Sequence, residues 1–84
     1  MMKIQKALIQ QALIAHEAQI EDDYHGYEYS IRTTDVRYYL GRHSGYVVQC
    51  SSDFDIYENG EHVAIEPFTT TVWFNDDLTI DEII

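Results

Sequence analysis

Asp53-Phe54-Asp55-Ile56-Tyr57-Glu58-Asn59-Gly60-Glu61-His62-Val63-Ala64-Ile65 consists of two alternating runs joined by Asn-Gly. Both central residues of a type I′ turn need positive φ, which Asn tolerates and Gly adopts freely, so this dipeptide specifies a two-residue β-hairpin. A loop of fixed length also fixes register. Glu58 is expected to face Glu61, Tyr57 to face His62, Ile56 to face Val63, Asp55 to face Ala64 and Phe54 to face Ile65. On that register Phe54, Ile56, Val63 and Ile65 share a buried face, and Asp53, Asp55, Tyr57, His62 and Glu66 share the other. Pro67 has no N–H for a ladder and is expected to end the second strand.

Working outward, the period of two continues on both sides. Upstream, Tyr27, Tyr29 and Ile31 alternate with Glu28, Ser30 and Arg32; Val36, Tyr38 and Leu40 alternate with Arg37 and Tyr39; Tyr46, Val48 and Cys50 alternate with Val47, Gln49 and Ser51. Gly41-Arg42-His43-Ser44-Gly45 reads as a polar connector. Downstream, Phe68 to Phe74 is a further strand, and Thr79-Ile80-Asp81-Glu82 fits a capping box opening a short final turn of helix. Before Gly26 the period is helical. Lys3 to Ile20 has no Gly or Pro, with Ile4, Ala7, Leu8, Ala15 and Ala18 along one side and Ile9, Leu13 and Ile20 along an adjoining one. The resulting fold class is α+β: one N-terminal amphipathic helix packed on an antiparallel, mostly meandering sheet of about five to six strands, all in a single domain, 1–84.

Composition narrows the function classes. The chain of 84 residues carries a formal charge of −10, and His43 to Ile84 holds nine carboxylates with no Lys or Arg. Such a field repels nucleic acid and anionic membranes and attracts basic protein surfaces. An apolar fraction of 45% with eleven aromatics is more than a disordered acidic chain carries. Lone Cys50 cannot close an intramolecular bridge, which favours a reducing compartment, and the cytoplasm is expected. Met1 to Ile9 superficially resembles a secretory start, but Gln10 and Gln11 interrupt its apolar run, so it reads as mature structure.

Asp53, Asp55 and Glu66, with Glu58 and Glu61 at the hairpin tip, make the candidate partner-binding array, to which Asp76 and Asp77 add further carboxylates. Strand residues two apart project about 6.8 Å from one another, an ordered row of negative charge such as a groove built for phosphates accepts. Tyr39 and Tyr57 are the candidate aromatic contacts, since tyrosine supplies large area and a polar tip at interfaces. His16, His25, His43, His62 and Cys50 show no paired ligand spacing, so neither metal nor cofactor is expected. Cys50 shares a strand face with Tyr46 and Val48, where it behaves as a small hydrophobe.

In size and charge the chain resembles phage-encoded inhibitors of host defence and repair, including anti-CRISPR proteins, anti-restriction proteins and the inhibitor of uracil-DNA glycosylase. The likeness is one of kind and assigns no residue a role. It implies a non-enzymatic DNA mimic that occupies the basic surface of a nucleic-acid-binding protein or complex. Two alternatives are an immunity protein that neutralises a basic nuclease toxin and a small enzyme or ligand-binding domain using the Arg42–His43 turn.

Overall fold

The computed structural model describes residues 3–84; Met1 and Met2 lie outside the described residues. A helix, α1 (Lys3–Asp23), precedes four strands: β1 (Glu28–Leu40), β2 (Tyr46–Glu58), β3 (Glu61–Phe74) and β4 (Ile80–Ile83). The strands form one antiparallel meander in the order β1-β2-β3-β4. The α+β architecture with one N-terminal helix is therefore as expected, with four strands in place of five to six. No described helix is long and apolar enough to cross a membrane.

The strand count differs because polar residues that read as gaps lie inside strands. Thr33, Thr34 and Asp35 continue β1, Ser52 continues β2, and Pro67 sits within β3 opposite Asp53. Pro67 is tolerated because β4 pairs only near Val72 to Phe74, which leaves this part of β3 at an edge. The chain end is a strand where a helical turn was expected. Four residues cannot repay helix nucleation, whereas β3 offers Ile80 to Ile83 a ready ladder. Thr79 accordingly bonds locally: its hydroxyl donates to Asp77 Oδ1 (2.6 Å) and accepts from Asn75 Nδ2 (3.0 Å).

The Asn59–Gly60 turn forms as expected, with φ of 53° and 81°. Glu58 pairs with Glu61 and Tyr57 with His62, but the register then shifts. Ile56 faces Ala64, Asp55 faces Ile65 and Phe54 faces Glu66. A bulge at Val63 adds one residue to β3, and one extra residue sends every later side chain to the opposite face. Val63 and Ile65, expected in the core, are 53% and 49% exposed. Glu66, expected beside Asp53 and Asp55, lies on the face that carries Phe54.

The helix covers one face of the sheet. Its buried stripe is Leu8, Ala12, His16 and Ile20, spaced by four, and is narrower than the apolar pattern suggested. Ile4, Ala7 and Ala18 are exposed. Leu8 and Ala12 pack against Val48, Cys50, Val72 and Phe74. Further along, Phe54 meets Tyr24 edge-to-face with centroids 4.6 Å apart and Tyr29 at 5.8 Å. The opposite face, carrying Val47, Asp55 and Trp73, has no layer over it.

At the far end from the hairpin, Gly45 joins two loops. Its N–H donates to Asp76 Oδ1 (2.7 Å), its carbonyl accepts from Gly41 N–H (2.9 Å), and its φ is +78°. A Cβ at Gly45 would collide with the Phe74 carbonyl, whereas a Cβ at Gly60, also at positive φ, would meet open space. Gly60→Ala should therefore cost only backbone strain, about 1 kcal/mol, and Gly45→Ala should cost about 2–4 kcal/mol because β3 must also move. Urea midpoints of the two variants check the order, which would be reversed if the Asn-Gly turn were the tighter constraint.

Candidate interaction surfaces

The carboxylates expected to form one array occupy four places. Asp53 is exposed on the uncovered face, opposite Thr33 and Pro67. Asp55 is buried beside it: Arg32 Nη2 lies 3.1 Å and His62 Nε2 2.8 Å from its Oδ1. The contact with Arg32 is an ion pair, and that with His62 a hydrogen bond. Asp55 is thus largely neutralised as a contact for a partner. Glu66 lies on the helix side, where its charge, with that of Asp23, reinforces the effect of burial in pushing the Tyr24 phenol above its ordinary value. Asp76 and Asp77 are at the opposite end of the molecule in structural roles. Asp76 holds Gly45, and the bonds from Thr79 lower the Asp77 carboxyl below its usual range.

The fold assembles a different acidic set, one that the hairpin pattern does not reveal. The end of α1 leads through Tyr24 to the start of β1, and Glu28 of β1 pairs with Tyr57 beside the hairpin tip. Glu21, Asp22, Asp23 and Glu28 therefore stand at the same end as Glu58, Glu61 and Glu66. Segments 21–28 and 56–66 carry these seven carboxylates and no Lys or Arg. All but Glu66 are exposed. The helix also directs the negative end of its macrodipole here. A shallow hollow between Gly26, Tyr27, Glu28, Tyr57, Glu58 and Val63 gives this end some relief.

The tyrosines do not form one surface. Tyr24, Tyr29, Tyr38 and Tyr46 are half-buried, with Tyr38 stacked on Tyr46 at 6.1 Å. Tyr57 lies against His62 on the uncovered face. Tyr39, 45% exposed, is at the other end of that face in a row with Val47 and Trp73. Arg42 borders the same apolar row. His43 is exposed in the connector beside Arg42.

One arrangement has the components of a nucleophilic pair. Thr70 donates to Gln19 Oε1 (3.0 Å) and so accepts from His16 Nδ1–H (2.8 Å). His16 Nε2 is then an acceptor for the Ser52 hydroxyl (2.7 Å), and Ser52 accepts from Thr34 (2.9 Å). Ser52 is 3% exposed and His16 1%, so no substrate reaches the hydroxyl. The arrangement is a hydrogen-bond network in which Ser52 and Thr70 are each used once as donor and once as acceptor and Thr34 serves as the donor at one end. Cys50 is fully buried, and burial pushes its thiol above the ordinary value, away from thiolate chemistry. Among the described residues no group of three or more His, Cys, Asp or Glu could hold a metal ion.

Comparisons with protein-family models, curated proteins and solved structures find no match to this chain.

Burial lowers the His16 pKa below 6.5, an effect that nearby Glu17 partly offsets. The unfolded chain therefore takes up the proton first, so the stabilisation is complete above about pH 6.5 and is lost as the pH falls through the lower folded value. Denaturation at about pH 7.5 and pH 5 should show wild type losing more stability than His16→Gln, which does not titrate. Equal losses would mean that His16 is free to protonate in the fold. At neutral pH, His16→Leu should cost about 2–4 kcal/mol by orphaning the Ser52 and Thr70 hydroxyls, and adding Ser52→Ala and Thr70→Val should recover most of it.

Proposed function

We propose that this chain is a small acidic binding protein that inhibits a nucleic-acid-handling protein by occupying its basic surface. The observation that carries this reading is the acidic end built from α1, β1 and the hairpin, with seven carboxylates and no Lys or Arg in its segments. A basic groove that accepts phosphates would accept this end by charge, and electrostatic steering would speed the encounter. Glu28, Glu58 and Glu61 form its leading edge around the hairpin tip, with Glu21, Asp22 and Asp23 behind them. The contact differs from the flat strand array inferred from sequence, because Asp55 is internally paired and Glu66 faces the helix side. Tyr57 borders the acidic end, whereas Tyr39 is remote from it.

Glu28→Lys, Glu58→Lys and Glu61→Lys together should leave circular dichroism unchanged, since all three side chains are exposed. With a partner recovered by pull-down, titration calorimetry should show the triple variant at least about 100-fold weaker, since charge reversal against a basic groove costs several kcal/mol. Tyr39→Ala, at the far end, should change affinity less than about threefold. Wild-type binding should also weaken with salt and be displaced by the partner's own nucleic acid. Undiminished binding by the triple variant removes the acidic end as the contact.

A further inference from the structure

We infer that β1 is a self-pairing edge through which two copies of this chain join their sheets. The meander leaves two long edges open: the outer side of β1, and β3 from Glu61 to Thr70, which β4 does not reach. They are treated differently. The β3 edge carries Pro67 and the carboxylates Glu61 and Glu66, features that discourage another strand from adding. The β1 edge has neither Pro nor Lys. Its bulge at Arg32 leaves Thr33 to Leu40 in unbroken register with β2, a regular ladder with an unused outer side.

Charge selects the occupant. Residues 28–42 hold two carboxylates, Glu28 and Asp35, against three guanidiniums, Arg32, Arg37 and Arg42, so this stretch is slightly positive within a chain of net charge −10. A second copy meets least repulsion here. Asp35 and Arg37 are exposed on the uncovered face, opposite Ser51 and Gln49, and neither belongs to an ion pair among the described residues. In an antiparallel pair related by a two-fold axis at Val36, Asp35 of each copy lies directly opposite Arg37 of the other. Two reciprocal ion pairs result, at a Cβ separation of about 4.5–5.5 Å. An axis at Asp35 would oppose Asp35 to itself, and one at Arg37 would oppose Arg37 to itself. The same register sets Thr33 against Tyr39 and Thr34 against Tyr38.

The long-range charges agree with that axis. Glu28 is eight residues from Val36, about 26 Å along the strand, so the acidic ends of the two copies stand about 50 Å apart. That exceeds the screening length of about 8–10 Å several times over. The dimer is an eight-stranded sheet with both helices on one side and an acidic end at each tip.

Sedimentation equilibrium on the full chain, from about 5 µM to about 500 µM, should show mass rising from 9.8 kDa towards twice that value. Asp35→Arg, which sets like charges opposite each other, should weaken association at least about tenfold with circular dichroism unchanged. Asp35→Arg with Arg37→Asp restores opposite charges and should return the dissociation constant to within about threefold of wild type. A wild-type chain that stays at 9.8 kDa throughout overturns the inference, as does a dimer indifferent to Asp35→Arg or a double variant that is not rescued.

Discussion

The hydrogen-bond chain through His16 is the constraint on which the rest of this fold depends. It begins at Thr34 in β1, passes through Ser52 in β2, crosses to His16 in α1, returns to Thr70 in β3 and ends at Gln19. One buried imidazole thereby sets the helix against three strands at once. A slip of either strand by one residue would turn a hydroxyl outward and leave a ring nitrogen unpaired in the core, at a cost comparable with a large share of a small domain's stability. Apolar clusters lie on both sides, around Val48 and Val72 and around Phe54, and neither is directional enough to choose a register.

That network also explains which parts of the fold were legible in the sequence. The hairpin turn, the helix and the meander follow from local rules: positive φ at Asn59 and Gly60, periods of 3.6 and 2, and glycine punctuation. Thr34 and Ser52 interrupt the apolar alternation and read as breaks between short strands, because a polar residue on the helix side of the sheet makes sense only once its buried partner is known. Nothing local marks His16 as that partner. The bulge at Val63 was equally hidden. An unbroken ladder after the turn requires Ile56 opposite Val63, and nothing in the local pattern marks the extra residue that sets Ala64 there instead.

The bulge redistributes the candidate site. With an unbroken ladder, Asp53, Asp55 and Glu66 would have stood together as a flat acidic face. The shift puts Glu66 on the helix side, and Asp55 is engaged by Arg32 and His62. What remains is gathered by topology: a helix 21 residues long returns the chain to the level of the hairpin, so two acidic segments far apart in sequence meet at one end. Reading carboxylates strand by strand could not find this set, because it depends on where the helix stops relative to the sheet.

The placement of charge on α1 runs against the stability of the isolated chain. Lys3 and Lys6 sit near the helix start, Glu21, Asp22 and Asp23 in its last turn, and no acidic residue occupies the first turn and no basic one the last. Each such misplacement against the macrodipole costs about 0.3–1 kcal/mol. Further carboxylates at Glu28, Glu58 and Glu61 add to the repulsion at the same end. The only nearby guanidinium, Arg32, is engaged by Asp55. Local rules broken together at one place, without a compensating ion pair among the described residues, are the pattern expected where the compensation comes from outside. On the proposed reading, cations supplied by a basic partner would relieve the helix end and the hairpin tip at once, and stability lost in the free chain would become binding free energy.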